Sequence, residues 1–204
     1  MKTRLLALAL VGIFNLAQAA VHAVEPVLLA QDSRFGPGTL TLDSATGLQW
    51  LDLPLTVSLN YYDMEAQLGS GGTFAGFRHA TTAEVLNLWV DAGIPYIGVG
   101  MSTAQQQANF GPVTALENLI GLTSVDNLFT TGMTSDFNAP GVSQRPILYS
   151  TGPGLSQASV SEWGSSASSA NVGNWLVQVP EPSCIGLLGT AGLAFMALRR
   201  ISVG

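Results

Sequence analysis

Thr39-Leu40-Thr41-Leu42 alternates polar and apolar side chains, the period of a strand with one face buried. Asp43-Ser44-Ala45-Thr46-Gly47 supplies turn chemistry, and Leu48–Leu53 resumes as a second strand carrying Trp50, so the two predict a hairpin. Arg34–Gly38, just before it, reads as an irregular lead-in. Beyond the hairpin the spacing becomes helical. Ser58 is placed to cap a helix over Leu59–Leu68, stopped at Gly69 with Ser70-Gly71-Gly72 behind it. Phe74–His79 bridges to a second helix. There Thr81 and Glu84 stand at capping-box spacing before Val85, Leu86, Leu88 and Trp89, with Gly93 past the end. Further boxes stand at Ser102/Gln105 and Thr114/Glu117, the second opening a short helix closed by Gly121. Ile147–Tyr149 and Trp175–Val179 read as late strands, and the Ser-rich Leu155–Ala170 as a long surface loop. Strands first, helices in the middle and strands last predict a single α+β domain over residues 24–178, with the final strand returning beside the first so that the terminal strands pair.

The two ends follow a different pattern. Lys2 and Arg4 precede an apolar run, Leu5–Leu16, and two small-residue exits follow at Ala17-Gln18-Ala19 and Val21-His22-Ala23. That is the layout of a secretory signal peptide over residues 1–23, cleaved after Ala19 or Ala23. At the other end Cys184–Leu198 carries no charge and predicts a short membrane helix over residues 184–198, about 15 residues against the usual 17–25. Arg199 and Arg200 then form a basic stop. Val179-Pro180-Glu181-Pro182, a short apolar helix and Arg199-Arg200, in that order, resemble the PEP-CTERM sorting signal over residues 179–200. The resemblance implies an exosortase as the recognising enzyme, together with the secretion machinery. It also implies a Gram-negative host that makes exopolysaccharide, transient anchoring in the membrane and final residence at the cell surface or in the extracellular matrix. Val179, Pro180, Glu181 and Pro182 would be the recognition motif, and Arg199 with Arg200 the topological stop.

Removing both ends leaves roughly 157 residues, one domain's worth and enough to bury a substantial core. Between Val24 and Pro180 twelve carboxylates face only Arg34, Arg78 and Arg145, a net charge near −9 against −6 for the whole chain. So acidic a body has no patch to neutralise phosphates, which argues against nucleic acid as a partner. It disfavours an anionic membrane surface for the same reason. Cys184, the only cysteine, falls in the apolar tail, so the body has neither a disulfide nor a thiolate ligand.

A second resemblance covers most of Thr39–Val179. Thr46-Gly47-Leu48-Gln49-Trp50-Leu51, a helix with Tyr61-Tyr62, Gly76-Phe77-Arg78, and Ala80-Thr81 followed by Glu84-Val85 are similar to the surface domain in the C-terminal half of Lcl-type, collagen-like adhesins. Trp175-Leu176-Val177 fits its closing strand. The likeness implies a C-type-lectin-related fold, with paired end strands around two helices and a loop-rich region. Phe77 stands where that pattern has Trp, and His79-Ala80 where it has Leu-Pro.

Candidate chemistry is sparse. Past the signal, His79 is the only histidine, and no G-x-S-x-G elbow accompanies it. Zinc would need several His or Cys ligands, and no cofactor is indicated. Asp136-Phe137-Asn138-Ala139-Pro140-Gly141 copies positions 1, 3 and 6 of an EF-type loop, making Asp136 and Asn138 the calcium candidates. Pro140 and Ile147 stand where two further ligands are required, so an Asx-Pro-Gly turn is the better reading. Asp63 and Glu65 project to nearly opposite sides of a helix, and the convergence of Asp43, Asp52, Glu84 and Asp126 is not legible in sequence. Trp50, Trp89 and Trp175 read as core, whereas Trp163, beside Glu162 in the Ser-rich stretch, is the aromatic expected to meet a ligand. The expectation is therefore a non-enzymatic surface or matrix protein that associates with exopolysaccharide or other surface components. The alternatives are a glycan-active enzyme using a carboxylate pair such as Asp52 and Glu84, and a calcium-dependent adhesion module.

Overall fold

The structure, a computed structural model, describes residues 27–179. The expected signal peptide, the expected membrane helix over residues 184–198, Cys184, and the expected motif residues Pro180, Glu181, Pro182, Arg199 and Arg200 lie outside the described residues. Among those described, no helix is long and apolar enough to cross a membrane.

The expected hairpin is present. Strand β2 (Gly36–Asp43) pairs antiparallel with β3 (Gln49–Leu51), and Thr41 faces Trp50. The turn is tied by Asp43, whose carboxylate accepts from the Ala45 N–H at 2.9 Å and the Thr46 hydroxyl at 2.6 Å. Gly47 takes φ 72°, which a side chain would resist. Arg34–Gly38 is no irregular lead-in. A further strand, β1 (Leu28–Ser33), precedes it and turns at Arg34-Phe35 into β2. Polar Gln31, Asp32 and Ser33 mask β1 in sequence, because it is an edge strand and only partly buried.

Three helices follow. Helix α1 (Tyr61–Leu68) is capped by Asn60, whose side chain accepts from the Asp63 N–H at 2.9 Å; Ser58 is not the cap. Ser58 instead adopts φ 67° and turns the chain toward the helix. The Thr81/Glu84 box opens α2 (Thr82–Asp91), and Val85, Leu88 and Trp89 face the core. The Ser102/Gln105 box opens α3, which runs unbroken over Thr103–Ile120 and ends at Gly121. Thr114/Glu117 is therefore no helix start. Pro112 removes one intrahelical bond, but its would-be acceptor belongs to Ala108, on the exposed side where water solvates it. Asn109, Val113, Leu116 and Ile120 keep one continuous buried face.

Strand β4 (Phe77–His79) lies between α1 and α2, and β5 (Phe129–Met133), β6 (Phe137–Ala139), β7 (Val142–Gly152) and β8 (Leu155–Gly164) form the late hairpins. The Ser-rich stretch is thus largely strand. Its Ser156, Ala158 and Ser159 are buried, and these small side chains let α3 pack closely over β8. The chain closes with β9 (Gly173–Asn174) and β10 (Leu176–Gln178).

Two sheets result, in an α+β fold. One runs β1-β2-β3-β10-β4; in the other β7 pairs with β8, β5 and β6, and β5 pairs in parallel with β9. The last strand does not pair with the first. It inserts between β3 and β4, because Val177 and Leu176 are fully apolar and buried and need partners on both edges, which a place beside the half-exposed β1 would not supply. The larger core gathers Trp50, Val177 and Trp175 from the first sheet and its β9–β10 link, Leu148 and Ala158 from the second, and the inner faces of α2 and α3. Trp50 and Trp175 meet edge to face at 6.1 Å. A smaller core of Leu40, Leu51, Phe77 and Leu176 occupies the other face of the first sheet, under Met64 of α1 and Phe74.

Where β9 crosses β5 and the Leu53–Thr56 turn, the chain has no room for a side chain at Gly173. A Cβ on Gly173 would stand 2.6 Å from Thr56 Oγ1 and 2.9 Å from the Leu53 carbonyl oxygen, and one on Gly132 3.1 Å from Gly173 backbone. Gly173→Ala should therefore lower stability by about 1–3 kcal/mol or more, read as a fall in urea midpoint without loss of expression of a folded species. Gly69→Ala, whose Cβ meets nothing within 4 Å, serves as the control.

Candidate functional site

His79, the residue that catalysis by histidine would need, sits in β4 and is 4% exposed. Its Nδ1 lies 2.7 Å from Glu65 Oε1 of α1, and its Nε2 lies 3.0 Å from Asn174 Oδ1 of β9. The Asn174 amide is oriented by donating through Nδ2 to the carbonyls of Leu59 at 3.1 Å and Thr56 at 3.4 Å, so its oxygen faces the ring. Both ring nitrogens thus face side-chain oxygens, and neither is turned to solvent. Tyr61 stacks on the ring at 4.2 Å, and Phe137 closes edge-on against Tyr61 at 5.0 Å. Burial and the Glu65 carboxylate push the Tyr61 phenol up to about 12.

A general base needs a bare nitrogen within reach of a substrate proton. His79 has both nitrogens engaged by neighbouring side chains and no access. It ties α1, β4, β9 and the 3-10 turn Leu53–Thr56 together, the last through Thr56, whose Oγ1 accepts the Asn174 N–H at 2.8 Å. Asn174, Glu65 and Tyr61 carry this cluster and are invisible as a set in sequence; the single signal is His79 itself, the one histidine past residue 23, at a strand–helix junction.

The calcium candidates are engaged in hydrogen bonds. Asp136 Oδ2 accepts the Thr82 N–H at 2.6 Å at the start of α2. Asn138 Oδ1 accepts from Gln144 at 2.8 Å, and its Nδ2 donates to Glu162 at 2.7 Å across the β6–β7–β8 surface. Pro140 and Gly141 form the β6–β7 turn, as an Asx-Pro-Gly sequence favours. Among the described residues no three His, Cys, Asp or Glu side chains converge as a metal site. Trp163 lies on β8, not in a loop; Arg145 covers one ring face at 4.7 Å, and its Nε1–H donates to the Ala167 carbonyl at 3.1 Å. Half-buried, it leaves only part of its ring open to solvent.

The carboxylates named from sequence divide by environment. Glu84 forms a bidentate pair with Arg78, at 2.6 and 2.9 Å, and accepts the Thr81 N–H at 2.8 Å. These bonds hold it down to about 2. Burial alone pushes Asp52 up to about 6 and Glu117, on α3, up to about 7; Asp52 Oδ1 and Glu117 Oε1 have no hydrogen-bond partner among the described residues. In sequence Glu117 stands out only by its capping-box spacing from Thr114.

Two outcomes follow. His79→Ala strands Asn174 Oδ1 in the interior and should cost about 2–4 kcal/mol in urea denaturation, whereas Glu65→Ala, removing a half-exposed partner, should cost under about 1 kcal/mol. Glu117 is protonated more readily in the folded chain than in the unfolded one. Its share of stability is full below about pH 4.5 and lost as pH rises through about 7. Glu117→Gln should therefore raise the melting temperature at pH 8, by the equivalent of roughly 2–3 kcal/mol, and leave it nearly unchanged at pH 4. An equal gain at both pH values would mean that burial of the charge is not the cause.

Compared with protein-family models, curated proteins and solved structures, the chain has no match.

Proposed function

We propose that this chain is an exported, non-enzymatic protein of the PEP-CTERM type. It is passed through the membrane, recognised by an exosortase at Val179–Pro182, and left at the cell surface or in the extracellular matrix. Its single domain associates there with exopolysaccharide or other surface components. The observation that carries the reading is the presence in one chain of two segments with addressing patterns, Met1–Ala23 and Val179–Arg200, on either side of one domain. The C-type-lectin-related fold belongs to the same reading. Its support is the placement of Thr46–Leu51 in the β2–β3 hairpin, Gly76–Arg78 at β4 and Trp175–Val177 at β10, in one sheet or at its border. Further support comes from the commitment of His79 and Glu84 to internal bonds, which leaves neither free for turnover.

The test is the fate of the full chain in a Gram-negative host with and without its exosortase. Expected are an N-terminus at Ala20 or Val24 by mass spectrometry and surface release that depends on the exosortase. Pro180→Ala with Pro182→Ala should hold the protein at the membrane. Retention of the unprocessed chain in the cytoplasm would sink the reading.

A further inference from the structure

The smaller core under α1 covers only half of its sheet face. Beyond it the same face turns polar in an ordered way. Val177 opposes Trp50, so the next register position sets Gln178 opposite Gln49, and Gln178 in turn faces Phe77 on β4. Gln49 is flanked on its other side by Leu42 of β2, and Gln31 of β1 lies across from Leu40. Residues two apart share a face, so Gln31, Gln49 and Gln178 emerge from three strands on one side of the sheet. They line a groove of about 360 Å³ with Leu40 and Phe77 in its floor and Asp32 and Arg34 among its walls. Pockets that hold small ligands begin at about that size.

The groove's hydrogen-bonding capacity is largely unspent. Gln49 Nε2 donates to Gln31 Oε1 at 2.8 Å, which aligns the two amides. Among the described residues that leaves Gln31 Nε2, Gln49 Oε1 and the whole Gln178 amide without a partner. Arg34 is held in place rather than used up. Its Nη2 donates to the carbonyls of Thr73 at 2.8 Å and Ala75 at 2.7 Å, and the guanidinium lies over Phe35 at 5.0 Å. Its Nη1 and Nε have no partner among the described residues. Asp32 receives the Gly38 N–H at 2.9 Å on Oδ1, leaving Oδ2.

We propose that this glutamine-lined groove is a binding site for a neutral saccharide. A sugar hydroxyl both donates and accepts, and so pairs with an amide edge in either sense. Gln49 and Gln178 stand on neighbouring strands about 4.8 Å apart, and the Gln31 amide, aligned by its bond to Gln49, adds a third donor and acceptor set for hydroxyls along one ring edge. The apolar floor of Leu40 and Phe77 suits the C–H face of the ring. Only one acid and one base line the groove, so it carries no net charge to select an ionic ligand. The net charge of the surrounding domain, near −9, repels uronic acids and sulfated sugars on approach. Val179 also lines the groove, and its N–H bonds the Gly76 carbonyl at 2.8 Å. A bound glycan therefore lies where the chain leaves the domain for the sorting segment. The site that the sequence pointed to, Trp163, is on the other sheet.

This inference rests on the reading that the domain meets polysaccharide, and the two fail differently. Calorimetry on the full-length chain in detergent micelles would use cellotetraose, chitotetraose and mannotetraose as neutral probes and an alginate tetramer as the acidic one. Expected is binding of at least one neutral probe. The double variant Gln49→Ala, Gln178→Ala should weaken it about tenfold or more, and Trp163→Ala should leave it unchanged. Gln178→Glu, which keeps the side chain's shape, should weaken it in the same direction if the double variant does not fold. Unaltered binding in these glutamine variants, or loss in Trp163→Ala, would overturn the groove while polysaccharide association stands. Binding of alginate alone would overturn the neutral class. Binding of none of the four probes would overturn the site and, with it, direct glycan association, though export and sorting would be untouched.

Discussion

Everything in this domain is hung on one close approach: the backbone at Gly173 pressed against the Leu53–Thr56 turn and Gly132. Here the chain passes from the second sheet to the first within six residues, pairing with β5 through Gly173-Asn174 and with β3 and β4 through Leu176–Gln178. Two sheets joined by so short a link must lie nearly in contact, and only glycine allows it. Trp175 in the middle of the link then fills the space where the sheets diverge. Its ring meets Trp50, and its Nε1–H points to the Pro146 carbonyl at 3.4 Å. The large aromatic and the missing side chain are two halves of the same packing solution.

A joint of this kind buries backbone and polar groups that need partners. Thr56 supplies several of them: its hydroxyl bonds the Leu53 carbonyl at 2.8 Å and the Asn174 N–H at 2.8 Å. Asn174 passes the network on to His79, and His79 to Glu65 at the surface. Buried polar chains stabilise when every member is satisfied and cost heavily when one is removed. That asymmetry explains why a lone histidine, the residue most suggestive of chemistry in the sequence, has a structural place. It also separates His79 from Glu117 and Asp52, whose buried oxygens find no partner among the described residues and whose acids titrate high as a result.

The sheet that receives β10 has two unlike faces, and this division shapes what the domain offers to a partner. One face is closed by α2 and α3 over the larger core. The other is closed by α1 for half its length only, since α1 has eight residues. The uncovered half carries the amides of Gln31, Gln49 and Gln178 beside Leu40 and Phe77, which border the smaller core.

Local signals in the sequence determined the β2–β3 hairpin, both capping boxes at Thr81 and Ser102, the Gly93 and Gly121 stops, and the core placement of Trp50, Trp89 and Trp175. Each depends on neighbours a few residues away, or on side chains so large that burial is their one good solution. The proposed addressing segments are equally local and are read from order and composition alone. What only tertiary structure decided is whatever hinges on distant partners. Leu155–Gly164 is a strand because α3 and β7 accept its small side chains, though serine-rich composition favours a loop. Pro112 stays inside a helix because its face of the turn is solvated. The last strand goes between β3 and β4 because both its edges need hydrogen bonds. The set Gln31, Gln49 and Gln178 exists only through strand pairing, which brings to one sheet face positions up to 147 residues apart (31 to 178) that no spacing along the chain connects.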